Sequence, residues 1–287
     1  MEKTGIIDVG GGLRGVYAAG VLDCCMDAGV QFDLGIGVSA GSANIASYLA
    51  GQKKRNYQFY TEYPFRREYM SLRNFLVRRS YLDLDYIYST LSNADGENPL
   101  NYQAIADNPA DFLIVATDAQ TGCPKYFTKE DLHQDDYSVF KASCAIPAVC
   151  HPYAVCGTDY FDGGLSDPVP VEEALRQGCS RIVLLLSKRR DAVSTSAADD
   201  FLADRIQKKY PAAAEKLRCR ARLYNQGIAR AKELEAEGTL LIVAPDDTCG
   251  VSTLTKNRDS LKKLYEKGYQ DAAQIPEFLY STSSCLA

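Results

Sequence analysis

Histidine is scarce in this 287-residue chain: there are two, His133 and His151, and none after them. Among the ten cysteines there is no C-x-x-C pair, which removes the commonest zinc and thiol-redox spacings. Cys144, Cys150 and Cys156 gather around His151, but their five-residue gaps match no usual zinc pattern, so neither a metal nor another cofactor is expected. No apolar run approaches the roughly 18 residues that a membrane-spanning helix requires. The start of the chain lacks the basic region, apolar run and cleavage site of a signal peptide. An excess of basic charge is missing too. The 32 Lys and Arg stand against 37 Asp and Glu, giving a net charge of −5, the wrong sign for a nucleic-acid-binding surface. Ten thiols without secretory features read as reduced core residues of a cytoplasmic protein.

What is present is ample core material, 46% hydrophobic against 24% charged residues. Ile6 to Val9 reads as a strand running into a glycine turn, followed by a helix from about Arg14 that carries Val16, Ala19, Gly20, Leu22 and Cys25 toward a sheet. Leu34 to Val38 is a short apolar strand of the kind buried on both faces, and Ser42 to Leu49 a helix of small residues. From Lys53 to Tyr88, aromatic residues alternate with cations, Arg66, Arg67, Arg78 and Arg79 among them. Most of these read as helices with Arg stems lying on Tyr rings; a lid or lipid-facing role is the competing expectation. Asp111 to Thr117 is a buried strand with a hairpin-like return at Lys125 to Phe127. Tyr137 to Cys144 is a short helix, Tyr160 to Asp162 a short strand, Val171 to Gln177 a helix opened by Pro170, and Arg181 to Ser187 a central strand. Lys188 to Asp200 reads as a mobile surface loop, Pro211 to Glu237 as a long amphipathic helix, and Thr239 to Ala244 as a last strand before a closing helix. The alternation implies an α/β fold with a parallel or mixed sheet covered on both sides. No linker or repeat interrupts it, so residues 1–287 are expected to form one domain.

The chemistry gathers at two glycine-rich turns and one carboxylate. Gly37-Val38-Ser39-Ala40-Gly41 sets a serine between small residues at a strand-to-helix corner, the spacing of a nucleophile elbow. Gly10-Gly11-Gly12-Leu13-Arg14-Gly15 offers bare backbone amides at a helix start, able to hold an oxyanion, with Gly11 and Gly12 the principal donors and Arg14 able to steer a phosphate or support the loop. A dinucleotide site would want an acid at the end of the second strand, where Ser39 stands instead. Asp162-Gly163-Gly164 delivers a carboxylate into a bend. Hydrolases of serine, acid, histidine order need a histidine downstream of the acid. Both histidines precede Asp162, so the economical arrangement is a dyad in which Asp162 takes the Ser39 proton, its proton affinity raised by desolvation. Asp8 and Asp118 read as loop supports, and His151 as structural.

The set of Gly10 to Gly15, Gly37 to Gly41 and Asp162-Gly163-Gly164 resembles the patatin-like phospholipase family, in which these blocks are oxyanion hole, nucleophile elbow and aspartate motif. Ala116-Thr117-Asp118 with Thr121-Gly122, and Ala142-Ser143-Cys144-Ala145-Ile146-Pro147, agree with it. The likeness covers about residues 4–190, and the remainder, about 200–287, is similar more loosely to a bacterial branch and should complete the domain. The resemblance implies a three-layer α/β/α fold with a mostly parallel sheet and metal-free hydrolysis of phospholipid or other lipid esters, with Ser39 as nucleophile and Asp162 as proton acceptor. A lipid ester substrate and transient contact with a membrane surface follow from it. Two alternatives stand beside hydrolysis: a non-hydrolytic lipid-binding or interaction protein on the same fold, and acyl transfer to an acceptor other than water.

Overall fold

The computed structural model describes residues 2–78, 80–147 and 149–280; Arg79 of the basic run lies outside them. Strand β1 (Lys3–Asp8) runs through a glycine loop and a single 3-10 turn (Gly12–Gly15) into α1 (Val16–Asp27), and β2 (Leu34–Val38) leads through Ser39 into α2 (Ala40–Leu49). Helices α3 (Arg55–Thr61), α4 (Leu72–Arg78) and α5 (Tyr102–Asp107) come before β3 (Asp111–Asp118), β4 (Pro124–Phe127) and α6 (Ser138–Ser143). A hairpin of β5 (Tyr153–Val155) and β6 (Thr158–Asp162) precedes α7 (Val171–Arg176) and β7 (Cys179–Leu185). The rest is α8 (Ala197–Ile206), α9 (Pro211–Ala236), β8 (Leu240–Val243), α10 (Arg258–Asp271) and α11 (Ile275–Tyr280).

The strands form one mixed sheet in the order β5-β6-β3-β2-β1-β7-β8, with β4 also paired to β3. β3, β2, β1, β7 and β8 are mutually parallel, whereas β4 and β6 run antiparallel to β3 and β5 runs antiparallel to β6. Because side chains alternate across a strand, Ile6 and Ile7 enter opposite cores. Ile6 packs with Val16 and Leu22 of α1, Ile45 of α2 and Leu261 and Leu264 of α10. Ile7 packs with Val171 of α7 and Ile228, Ala231 and Leu234 of α9. The result is a three-layer α/β/α fold around a mostly parallel sheet. Each fully buried aliphatic side chain contributes about 1.5 to 3 kcal/mol.

Two details depart from the expectations above. Gly20 does not face the sheet: a Cβ there would lie 2.0 Å from the Tyr265 carbonyl oxygen, because α1 and α10 cross with their backbones nearly touching. The stretch from Lys188 to Asp200 is irregular only as far as Ser196, and α8 begins at Ala197. Its turn against α9 is fixed by Asp199, which is buried and accepts two hydrogen bonds from Arg220, at 3.0 and 2.6 Å. In the aromatic and basic run, Tyr60, Tyr63, Tyr69 and Tyr88 are buried, Arg55 lies over Phe59, and Arg66 lies over Tyr63 while pairing with Glu97. Most of that run is therefore core and its cover. Among the described residues no helix is long and apolar enough to cross a membrane.

Candidate active site

The corner after β2 is tight because two glycines let other backbone approach. A Cβ at Gly37 would lie 2.3 Å from the Ser42 Cα, and one at Gly41 would lie 2.2 Å from the Asp8 carbonyl oxygen. Between them Ser39 adopts φ 56° and ψ −132°, a region that L side chains rarely occupy. Such a residue stores on the order of 1 to 3 kcal/mol of strain and persists only where its surroundings hold it. Part of that hold comes from α6, where the Ser143 hydroxyl accepts the Ser39 N–H. Ser143 lies within the Ala142 to Pro147 block, but the residues alone gave it no role.

The sheet brings Asp162 to the same place. β4 follows one edge of β3. Along the other edge β2 extends as far as Val38 opposite Val115, and β6 takes over at Asp162 opposite Ala116. Ser39 and Asp162 thus leave the sheet at consecutive steps along one edge of β3. Asp162 is 5% exposed, and its Oδ1 accepts the Gly164 N–H at 2.8 Å. Burial raises the affinity of its carboxyl for a proton above the ordinary carboxylate level, while the Ser39 hydroxyl, the Gly164 N–H and, more weakly, Arg220 pull the other way.

The glycine loop after β1 flanks this pair, with φ of 67°, 123° and 60° at Gly10, Gly11 and Gly12. The Gly10 N–H donates to Asp8 Oδ1 at 2.8 Å and is not free for an oxyanion, which narrows the three expected amides to Gly11 and Gly12. Asp8 itself is buried, its carboxyl pushed up to about 6 by desolvation against the opposing Asn44 and Gly10 hydrogen bonds, and it braces the loop. Asp118 supports its own turn by accepting the Gln120 and Thr121 amides. Both histidines lie exposed on the surface, His151 stacked on Tyr153. Leu13 is buried and Gly15 packs under the Tyr60 hydroxyl. From the far end of the chain, Thr253 accepts the Leu13 N–H through its carbonyl at 3.0 Å and the Arg14 Nη1 through its hydroxyl at 2.9 Å. The expected motifs contain no sign of Thr253.

Two cavities meet at Ser39. One is apolar, with Phe59, Met70, Leu82, Leu84, Ile87 and Val149 in its wall. The other is a polar cleft bordered by Gly10 to Gly12, Asp162, Arg14, Lys188 and Arg220. Among the described residues no group of three or more His, Cys, Asp or Glu is arranged to hold a metal ion.

Parts of the chain are similar to known proteins. A second family model, described as a domain of unknown function (DUF6363), matches residues 210–279, which carry Arg220 and Thr253. Over 188 residues, 64% of the chain, the sequence is 31% identical to the uncharacterized protein YjjU of Escherichia coli K12, and it covers 51% of that protein. Lysophospholipase NTE1 of Yarrowia lipolytica is 25% identical over 190 residues, 62% of this chain and 12% of that one. Lysophospholipase NTE1 of Saccharomyces cerevisiae is 24% identical over 202 residues, 69% of this chain and 11% of that one. The chain thus spans about half the length of YjjU and about an eighth or less of these two larger relatives. The crystal structure of VipD from Legionella pneumophila aligns over 96% of this chain and 67% of its own, with a TM-score of 0.47 and 16% identity. The family model described as patatin-like phospholipase matches residues 9–175, more than half of the chain, and these residues hold the glycine loop, the Ser39 elbow and Asp162. The chain belongs to the patatin-like phospholipase family.

Proposed function

We propose that this protein is a serine esterase that cleaves the carboxylic ester of a phospholipid or lysophospholipid through a Ser39–Asp162 dyad. Membership of the family carries lipid-ester hydrolase chemistry at a patatin-type nucleophile elbow. The dyad and the substrate are the finer reading. The observation that carries it is the meeting of Ser39 with Asp162 on one edge of β3, beside the Gly11 and Gly12 amides.

In this mechanism Asp162 accepts the Ser39 proton as Oγ attacks the ester carbonyl. The Gly11 and Gly12 amides, which have no acceptor among the described residues, receive the developing oxyanion. Asp162 returns the proton to the departing alcohol. Water then repeats the sequence on the acyl-Ser39 ester and restores the enzyme. The apolar pocket at Ser39 suits an acyl chain, being lined mainly by aliphatic and aromatic side chains. Similarity to the NTE1 lysophospholipases supports a lysophospholipid, and similarity to YjjU of Escherichia coli supports a bacterial branch. The nine described cysteines are free thiols, which favours a cytoplasmic setting. The reading treats residues 1–287 as one unit, since β8 and α10 pack onto β7 and α1.

A fluorophosphonate probe tests the assignment. It should label the wild type and spare Ser39→Ala, and equal labelling of that variant would refute it. Product analysis with radiolabelled lysophospholipid separates hydrolysis, which yields free fatty acid, from acyl transfer and from simple binding.

A further inference from the structure

The polar cleft holds an imbalance of charge that the dyad does not explain. Arg14, Lys188 and Arg220 converge there from the glycine loop, the segment after β7 and α9. They are close enough for each of Arg14 and Lys188 to be made less basic by Arg220, and Lys188 also by Arg14, after the larger effect of desolvation. Two carboxylates face them, Asp199 and Asp162. Asp199 is taken up by Arg220.

Among the described residues the hydrogen bonds of Arg14 and Lys188 go to neutral groups, and the one carboxylate whose charge reaches Lys188, Asp199, is already paired with Arg220. Arg14 donates to the Thr253 hydroxyl, and its Nε is buried with no partner. Lys188 donates to Ser194 Oγ at 3.2 Å and lies over the Tyr224 ring. Gathering partly buried like charges is unfavourable unless an anion joins them. Ser187, Ser194 and Thr195 add hydroxyls to the same wall, so the lining offers several donors around one position.

We propose that Lys188 and Arg220, with Arg14, form a subsite for a phosphate group, so that a substrate held at Ser39 sends its acyl chain into the apolar pocket and its phosphate into the polar cleft. The cleft reaches Gly11, Gly12, Ser39 and Asp162, which puts a phosphate in it beside the reacting ester. Lys188 and Arg220 lie beyond residues 9–175, and Arg220 comes from the stretch matching the domain of unknown function. In this protein that stretch supplies one wall of the active-site cleft and its preference for an anionic head group. The substrate part of the proposal rests on the esterase reading above; the binding part does not.

Calorimetry with glycerol 3-phosphate and with inorganic phosphate on the full chain carrying Ser39→Ala measures binding without turnover. Both ligands should bind, and adding Lys188→Met should weaken each at least tenfold. Lys188 makes one exchangeable hydrogen bond, so this variant spares the Asp199–Arg220 pair; Arg220→Lys is the second variant, expected to weaken binding while keeping a cation beside Asp199. Binding that is absent, or unaltered in both variants, overturns the subsite. With Ser39 intact, the ratio of kcat/KM for a 1-acylglycerol 3-phosphate to that for the matching 1-acylglycerol should fall at least tenfold in Lys188→Met. Lys188-dependent binding of inorganic phosphate with an unchanged ratio would mark a site for free phosphate and overturn the head-group assignment. Phosphate binding with no ester turnover by the Ser39 enzyme would instead sink the esterase reading and leave the anion site standing.

Discussion

The Ser143 hydroxyl accepts the Ser39 N–H at 3.0 Å and donates to the Val115 carbonyl at 2.7 Å, so one buried side chain pins the elbow to the central strand beside it. Ser143→Ala removes both bonds and leaves a strained corner without its brace. We expect kcat to fall on the order of tenfold with little change in KM, because small displacements of a reacting group are costly. The accompanying loss of stability should be about 1 to 3 kcal/mol, the cost of an orphaned buried amide. Steady-state kinetics and urea unfolding measure the two effects; unchanged kcat would deny Ser143 a positioning role.

Asp162 predicts opposite pH trends for activity and stability. A base must be ionised, so kcat/KM should decline as pH falls through the raised pKa of Asp162. For stability the sign is reversed. Burial makes the native state bind this proton more tightly than the unfolded chain does, so the stabilisation is complete at acid pH and is lost as pH rises through that pKa. Asp162→Asn should therefore melt higher than the wild type at pH 8, by a margin that shrinks toward acid pH, while losing roughly 100-fold to 10,000-fold in activity. Melting curves across pH would contradict this if the variant were the less stable at pH 8.

The glycine loop depends on a residue more than 200 positions away, which makes Thr253→Val informative. The substitution keeps the shape and the backbone bond to Leu13 but removes the hydroxyl that receives Arg14 Nη1. Hydrogen bonds to charged groups contribute about 1.5 to 3 kcal/mol. The loop should loosen, with turnover reduced severalfold and amide exchange faster at Gly11 and Gly12. Protection unchanged at those amides would show that the loop stands without the tie.

Helix α4 exposes Leu72, Phe75, Leu76 and Val77 at 45% to 81%, beside Tyr69 and Met70 of the apolar pocket. Exposed Leu254 borders the same pocket. Such a cluster fits brief contact with a lipid surface. Leu76→Glu with Val77→Glu should lower binding to anionic vesicles at least tenfold in flotation, while hydrolysis of a soluble short-chain ester stays as in the wild type. Equal flotation of the double variant would assign lipid contact elsewhere.

Much of this arrangement was legible because it is written in local signals. Gly37 to Gly41 and Gly10 to Gly15 announce tight turns through residue types that only such turns need, and the order of strand, turn and helix followed. The α8 helix was not legible, since its first turn is held by a buried Asp199–Arg220 pair spanning two helices rather than by a strong apolar period. Strand β5 escaped because its turn is Cys156-Gly157, both at positive φ (49° and 82°), without the usual Asn or Asp signal. The polar cleft was invisible for a further reason. Arg14, Lys188 and Arg220 are unremarkable singly, and only the stacking of β7 and α9 against the glycine loop assembles them.

The bond from Leu13 to Thr253 also ties the start of the fold to a segment made 240 residues later. A chain made only as far as β8 lacks the Thr253 clasp on its amide-lined turn. Under the proposed function, the oxyanion turn would then be completed only after the sheet's last strand.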